Sequence, residues 1–359
     1  MGLFSDHKAL TSPPDCSIEI DGSPIDEIDE LGGYFDSVEV DVSRNRPSVC
    51  RVTFATIRLE SGDWAVADSD LMRPWNQLKV KIMLDDQEIE LFSGYIIKVS
   101  IGFSDDTHSV TATCQDKSVL MDREHITRVW GDEDAPVTDG DIVSEIADKY
   151  QLSAQADVGM THTQLNQDDT DIRFLYKLAR SNGYEMKISE DDLYFGQFHL
   201  DGEPQQAIMV YAGEESNCID FSITDDGYKP DSILVDIYTD QDFEHQELYP
   251  EQRRLGSEDC ETFSRKLGSF NWKVRLHGLQ SETAMAIARG KAEKNAWKIS
   301  ATGSLDGILY GAVLETGKTV DVQGAGTAYS GTYYVDSVTH RIDQTGYKQQ
   351  FKILRNARK

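Results

Sequence analysis

The stretch LFSGYIIKVS, residues 91–100, decides how this chain is read, because it returns as YSGTYYVDSV at 329–338. In the first copy Phe92-Ser93-Gly94 opens a strand-like run, Tyr95 to Ile101. A polar turn with Ser104, Asp105 and Asp106 follows, and then a second run, His108 to Cys114. In the second copy Tyr329-Ser330-Gly331 opens Thr332 to His340, a turn from Asp343 to Gly346, and Tyr347 to Leu354. Each copy is preceded by another alternating run, Leu78 to Leu84 and Lys318 to Val322. Two aromatic-Ser-Gly hairpins in one chain predict two similar β domains, and a duplicated β domain is how a trimer can imitate a sixfold ring.

Working outward, Ser17 to Cys114 reads as strands separated by turns: Ser17 to Ile20, Tyr34 to Val42 and Ser48 to Arg58, then those already named. Val52, Phe54, Thr56 and Arg58 alternate with Arg51, Thr53, Ala55 and Ile57 at period two, as an antiparallel barrel or sandwich requires. The irregular Asp63 to Pro74 is expected to lay Trp64, Leu71 and Met72, with Trp75 beyond them, over a barrel end.

The period changes at Thr138. Asp139 to Tyr150 carries Ile142, Val143, Ile146 and Ala147 at helical spacing behind a polar cap, and Asp168 to Ser181 repeats this before Asn182-Gly183, a left-handed stop. Tyr184 to Ile188 and Leu193 to Phe198 then form a hairpin. Strands resume at Ile219 to Ile223 and Ile233 to Thr239, Asp240 to Asn271 lacks periodicity, and Ser281 to Trp297 is an Ala-rich helix that Gly290 weakens.

The expected fold is mainly β with an α+β insert: two similar antiparallel β-barrel tube domains, a small helix-hairpin middle domain and a helical excursion in the second barrel. The boundaries are an N-terminal arm at 1–16, a first barrel at 17–120, a middle domain at 121–205, and a second barrel at 206–239 plus 298–359. An extended and helical insertion occupies 240–297.

Composition narrows the function classes. The net charge of −28, from 63 acidic against 35 basic residues, disfavours nucleic-acid binding, which works by Lys and Arg displacing counterions. It fits a surface adapted to salt, a channel wall that repels polyanions, or both. The five cysteines are scattered without metal-ligand spacing, as free thiols of a reducing compartment would be. No stretch has the length and apolarity of a membrane span, and Met1 to Pro14 lacks a signal-peptide profile, so assembly in the cytoplasm without a cleaved signal is expected.

No motif carries catalysis. The eight histidines never occur at i, i+4 helical spacing, and there is no nucleophile elbow or P-loop. Asp168, Asp169 and Asp171 read as the acidic start of a helix, His340 as a strand residue on a polar face or in a hydrogen bond between strands, and Gly324-Ala325-Gly326 as a turn because a strand follows. No cofactor, metal or catalytic residue is expected. Two alternatives stay open: a carbohydrate adhesin displaying Trp64, Trp75, Trp130, Trp272 and Trp297, and a glycosidase hidden among the many carboxylates.

Three segments together carry a family resemblance. QDDTDIRFLYKLARSNG (167–183) with the hairpin YEMKISEDDLYFG (184–196) resembles the middle region of phage late control D proteins. SETAMAIARGKAEKNAWKISATGSLDG (281–307), YSGTYYVDSVTHRID (329–343) and QQFKILRN (349–356) resemble that family's closing helix and last barrel, and LFSGYIIKVS through CQDKSVLMD (114–122) its first. Residues 1–16 and 240–271 lie outside the likeness. The family includes baseplate hubs of contractile phage tails, hubs of extracellular injection particles and the N-terminal part of type VI secretion spikes.

The resemblance implies a homotrimer, a pseudo-sixfold ring between a hexameric tail tube and a trimeric spike, within a virion baseplate or an injection particle. It also implies contact with baseplate wedge proteins and with a tape measure or cargo, and no membrane anchor. Because the sequence stops at Lys359, the spike is expected as a separate chain. Asp85, Asp86, Asp105, Asp106 and Asp343 are candidate docking turns at the tube ends, and Arg355, Arg358 and Lys359 form a small basic cluster that either contacts the spike or is merely solvated.

Overall fold

The computed structural model describes residues 16–25, 35–84, 86–104, 108–238, 243–259, 267–268, 270–277 and 281–358. Asp85, Asp105, Asp106, Lys359 and nearly all of the expected N-terminal arm lie outside them. Six strands carry the first copy: β1 (Cys16–Ile20), β2 (Phe35–Ser43), β3 (Val49–Ala55), β4 (Gln77–Leu84), β5 (Gln87–Phe103) and β6 (His108–Gln115). They bond in the order β2-β3-β6-β5-β4-β1, all antiparallel. Alternation decides the faces: Cys50, Val52 and Phe54 of β3 are fully buried while Arg51 and Ala55 are exposed on the other side. All six strands give side chains to one core, among them Ile18, Val38, Val80, Phe92 and Val110, and Trp64, Leu71 and Met72 pack onto it as their sequence position suggested, whereas Trp75, expected with them, is exposed.

The middle unit comprises β7 (His125–Trp130), α1 (Asp139–Lys149), β8 (Ser153–Ala156), β9 (Leu165–Thr170), α2 (Asp171–Asn182), β10 (Glu185–Ser189) and β11 (Asp192–Gly196). Thr138 and Asp141 cap α1 reciprocally, and Gly183, at φ 72°, ends α2 as anticipated. The two helices bury Ile142, Val143, Ile146, Leu175 and Leu178 against Met186 and Phe195 of the hairpin. The acidic start of α2 is shorter than the sequence suggested. Asp168 and Asp169 belong to β9, paired with β7, and only Asp171 stands in the first helical turn.

The second copy begins with β12 (Gln205–Met209) and β13 (Cys218–Asp225). After an insertion made of β14 (Ser232–Tyr238), β15 (Phe243–Leu248), β16 (Asn271–His277) and α3 (Ser281–Ala296), it resumes as β17 (Ile299–Asp306). The short α4 (Gly307–Tyr310), β18 (Thr319–Gln323), β19 (Gly331–Asp343) and β20 (Gly346–Arg355) complete it.

Its order, β13-β17-β20-β19-β18-β12, repeats the first copy strand for strand. The one change is that β12 runs parallel to β18, whereas β1 runs antiparallel to β4. Even a bulge recurs: register shifts between Ile96 and Lys98 in β5 and between Val335 and Ser337 in β19. The bulges are 239 positions apart and the Ser-Gly motifs 237, so the motif has slipped by two residues, which preserves its face. Each motif glycine passes close to the end of the last strand. A Cβ on Gly94 would lie 2.2 Å from the Gln115 carbonyl oxygen, and one on Gly331 (φ +128°) 2.7 Å from the Arg355 guanidinium.

The two copies are joined edge to edge. The C-terminal half of β19 pairs with β2, from Ser337 opposite Ser43 to Asp343 opposite Ser37, fusing both copies, with the two-residue strand Ser23–Pro24 beside β1, into one 13-stranded sheet. Each half gathers its strands around its own core, the second lined by Ile208, Ala301, Val335, Val338 and Ile353. Among the described residues neither ladder returns to its own first strand.

β14 was expected in the second barrel. Instead its hydrogen bonds go to β15 and β16, and Ala284, Ala288 and Ala292 of α3 pack on its Ile233, Val235 and Ile237. Residues 240–271, expected to lack a core element, supply β15 to this sheet. The insertion is thus a small α/β unit between β13 and β17, where the first copy has only the 44–48 turn. A buried ion pair of Asp231 with Lys298 closes its base.

Candidate assembly surfaces

The first copy, the middle unit and the second copy meet at one polar cluster, buried at Glu185 and Tyr334 and open to solvent at Asn45 and Lys352. Asn45, in the turn after β2, donates its backbone N–H to the Met186 carbonyl (3.0 Å) and accepts from the Met186 N–H through its side chain (2.8 Å). Next to it Arg44 donates to Asp336, the bulge residue of β19, at 2.5 Å, and its guanidinium lies 4.4 Å from the centre of the Phe198 ring. Lys352 closes on the other oxygen of Asp336 at 2.9 Å. Burial pulls the Asp336 carboxyl upward, but Arg44 and Lys352 outweigh it and hold the group below the usual carboxylate range.

Glu185 is the second carboxylate of the cluster. It accepts a hydrogen bond from the Tyr334 hydroxyl at 2.5 Å, and burial pushes its pKa up to about 7. None of these side chains makes a nucleophile–base pair. They lock three units at fixed angles, which suits a scaffold.

Of the five expected docking residues, Asp86 and Asp343 are described, and they fall at two opposite ends of the sheet. Asp86 is exposed at positive φ (61°) in the β4–β5 turn. Asp343 is the last residue of β19, beside its turn to β20. The 17 residues of β5 separate the two ends by on the order of 50 Å of strand. Asp343 accepts from Thr345 and Arg341, which lower its pKa.

The basic C-terminus is not one solvated cluster. Arg355 is buried, donating to the carbonyls of Leu255 (2.9 Å) and Ser330 (3.1 Å), and Arg358 is clamped on Asp225 at 2.8 Å. Both are spent tying the end of β20 to neighbouring segments. That function was not legible, because every acceptor lies 25 or more residues away.

A cleft of about 750 Å³ between the copies is lined by Phe92, Asp116, Lys187, Thr316 and His340 among others. Asp116 accepts from the Ser48 and Ser118 N–H groups, whereas the buried Thr316 hydroxyl has no hydrogen-bond partner among the described residues. His340 bonds across strands to the Tyr347 hydroxyl at 2.8 Å, as its place in the sequence suggested. Among the described residues no group of three or more His, Cys, Asp or Glu is placed to hold a metal ion, and no helix is long and apolar enough to cross a membrane. Trp130 and Trp297 are buried and Trp64 packs on the first core, leaving only Trp75 and Trp272 of the five exposed, so they form no shared sugar platform.

Solved structures share this fold. The 43 kDa tail protein of prophage MuSo2 from Shewanella oneidensis superposes with a TM-score of 0.69 at 10% identity, covering 96% of this chain and 99% of that one. A tail protein from Neisseria meningitidis MC58 gives 0.66 at 11%, with coverage of 95% and 96%. The E. coli c3393 protein, described as a component of the type VI secretion system, gives 0.56 at 11%, with coverage of 94% and 76%. At such identities the agreement is one of fold, and it accords with the resemblance to the baseplate hub family. No curated protein matches in sequence. The sequence model of the Alg8 N-terminal domain matches residues 14–344. That span is more than nine-tenths of the chain, and the chain therefore belongs to the Alg8 N-terminal domain family.

Proposed function

We propose that this chain is a baseplate hub, a trimeric symmetry adapter between a hexameric tail tube and a trimeric spike that forms part of their conduit. The observation that carries this is the strand-for-strand duplication of a six-stranded unit within one chain. Three chains supply six near-equivalent units toward a sixfold partner, while the middle unit and the insertion, present once per chain, mark a threefold pattern for the spike. The chain turns nothing over. It acts as a rigid conduit, and its further contacts are baseplate wedge proteins and a tape measure or cargo, in a virion tail or an injection particle.

One face of the continuous sheet is filled by the two cores. The other carries polar side chains at alternate positions, including Thr53, Thr111, Thr302 and Thr339. This polar face is the wall we assign to the bore, since hydroxyls and scattered charges offer passing DNA or protein no apolar foothold. The turns at Asp86 and Asp343 are the proposed docking loops. Charge reversal there should lower particle yield, and unchanged trimer and particle yields would remove them.

The test of the hub itself is mass by light scattering, at low and high salt, alone and with the candidate spike chain. A trimer, or a stoichiometric three-to-three complex with the spike, supports the assignment. A monomer indifferent to both salt and spike sinks it.

A further inference from the structure

Within the chain, the bond between the two copies is made by β2 and the C-terminal half of β19. By the duplication, each of these strands has a counterpart on the outer side of the molecule. The counterpart of β19 is the C-terminal half of β5, which among the described residues bonds only β6. The counterpart of β2 is β13, which among the described residues bonds only β17.

Burial reports the same asymmetry. His340 and Ile342 of β19 are 3% and 2% exposed, whereas their counterparts Ile101 and Phe103 of β5 are 46% and 55% exposed. Val38 and Val40 of β2 are fully buried, while their counterparts Phe221 and Ile223, which also point at a core, are only partly covered, and the neighbouring Ile219 is exposed. Open apolar strand edges of this kind invite pairing.

We propose that a second copy of this chain covers them: β13 of one copy pairs antiparallel with residues 98–103 of β5 in the next, in the register that β2 uses on β19. Carrying that register across puts Ile101 opposite Ile223, Phe103 opposite Phe221, and Lys98 opposite Asp226 with Asp225 adjacent. Two apolar pairs and one charge pair thus fall into line from a register fixed elsewhere in the molecule. The contact is head-to-tail, so it builds a ring if the rotation closes. That the ring closes at three copies rests on the hub assignment, and the pairing itself does not.

The full chain, with Cys218→Ser to remove the thiol on β13, is given Ile101→Cys and Ile223→Cys and mildly oxidised. A ladder of covalent dimer and trimer that stops at trimer is expected on a non-reducing gel. The out-of-register pair Ile101→Cys with Ile219→Cys should cross-link at least roughly tenfold less, since opposite residues alone reach disulfide distance. No cross-link, or equal cross-linking by both pairs, overturns the proposal. Lys98→Glu and Asp226→Lys should each weaken self-association and together restore it, and their helical and sheet content is checked by circular dichroism. A trimer by light scattering without the cross-link would discard this pairing and leave the hub assignment standing. Cross-linking into open chains that bind neither tube nor spike would do the reverse.

Discussion

Glu185 sits where three units touch, and its protonation registers how tightly they are held. Its carboxyl titrates at about 7 in the folded chain against an ordinary 4.5, because burial opposes the charge. The folded state therefore binds more protons than the unfolded one between those values. The stability this group contributes is full below about pH 4.5 and is lost as pH rises through about 7. Glu185→Gln keeps an acceptor for Tyr334 and removes the charge. Its gain in stability over the wild type should be near zero at about pH 4 and grow to the order of 3 kcal/mol by about pH 8. Thermal melts across that range test this, and a flat difference would mean an unperturbed carboxyl. Buried His340, lowered to about 4, acts in the opposite sense as pH falls, and comparing variant with wild type at each pH cancels it. At a second residue, Asn45→Ala should cost about 0.5–1.5 kcal/mol by removing the acceptor of the Met186 N–H in a part-buried hydrogen bond. Neither role was legible in the sequence: Glu185 read as one polar position of a hairpin, and its partner Tyr334 is 149 residues away. His340 was legible because its partner Tyr347 lies in the adjoining strand of the same hairpin.

At the scale of elements, the helices declared themselves through local chemistry. The Thr138 cap, the Gly183 stop and the alanine face of α3 act within one or two turns, so sequence spacing is enough to find them. β14 did not, because Ile233, Val235 and Ile237 alternate identically whichever sheet receives them. The choice was made by β15, β16 and the alanines of α3. Gly290 shows where a local rule and packing disagree. Helix propensity says that Gly290→Ala should stabilise α3 by about 1 kcal/mol. The new Cβ, however, would lie 2.7 Å from the backbone nitrogen of Gly183, at the end of α2. A net loss of about 1–3 kcal/mol is expected from the forced separation of the two helices. A higher melting temperature for the variant would show that the helices can part freely.

For the whole molecule, duplication was legible from two short motifs, but the sharing of one sheet was not, since the β2–β19 pairing joins residues about 300 positions apart. Net charge acts at this scale as well. Copies carrying −28 each repel one another, so self-association should strengthen as added salt screens them between about 0.05 and 0.5 M. Sedimentation velocity reads this directly, and weakening with salt would mean that attractive ion pairs across the contact exceed the net repulsion. The insertion between β13 and β17 occupies one of two equivalent turns, while the other, at 44–48, stays short. In a ring of six such units every second position would carry a projection and every other a gap. A sixfold partner could therefore seat flush only on the end free of projections, and a partner approaching from the projecting end would find three slots 120° apart that fix its rotational phase before any side chain is read.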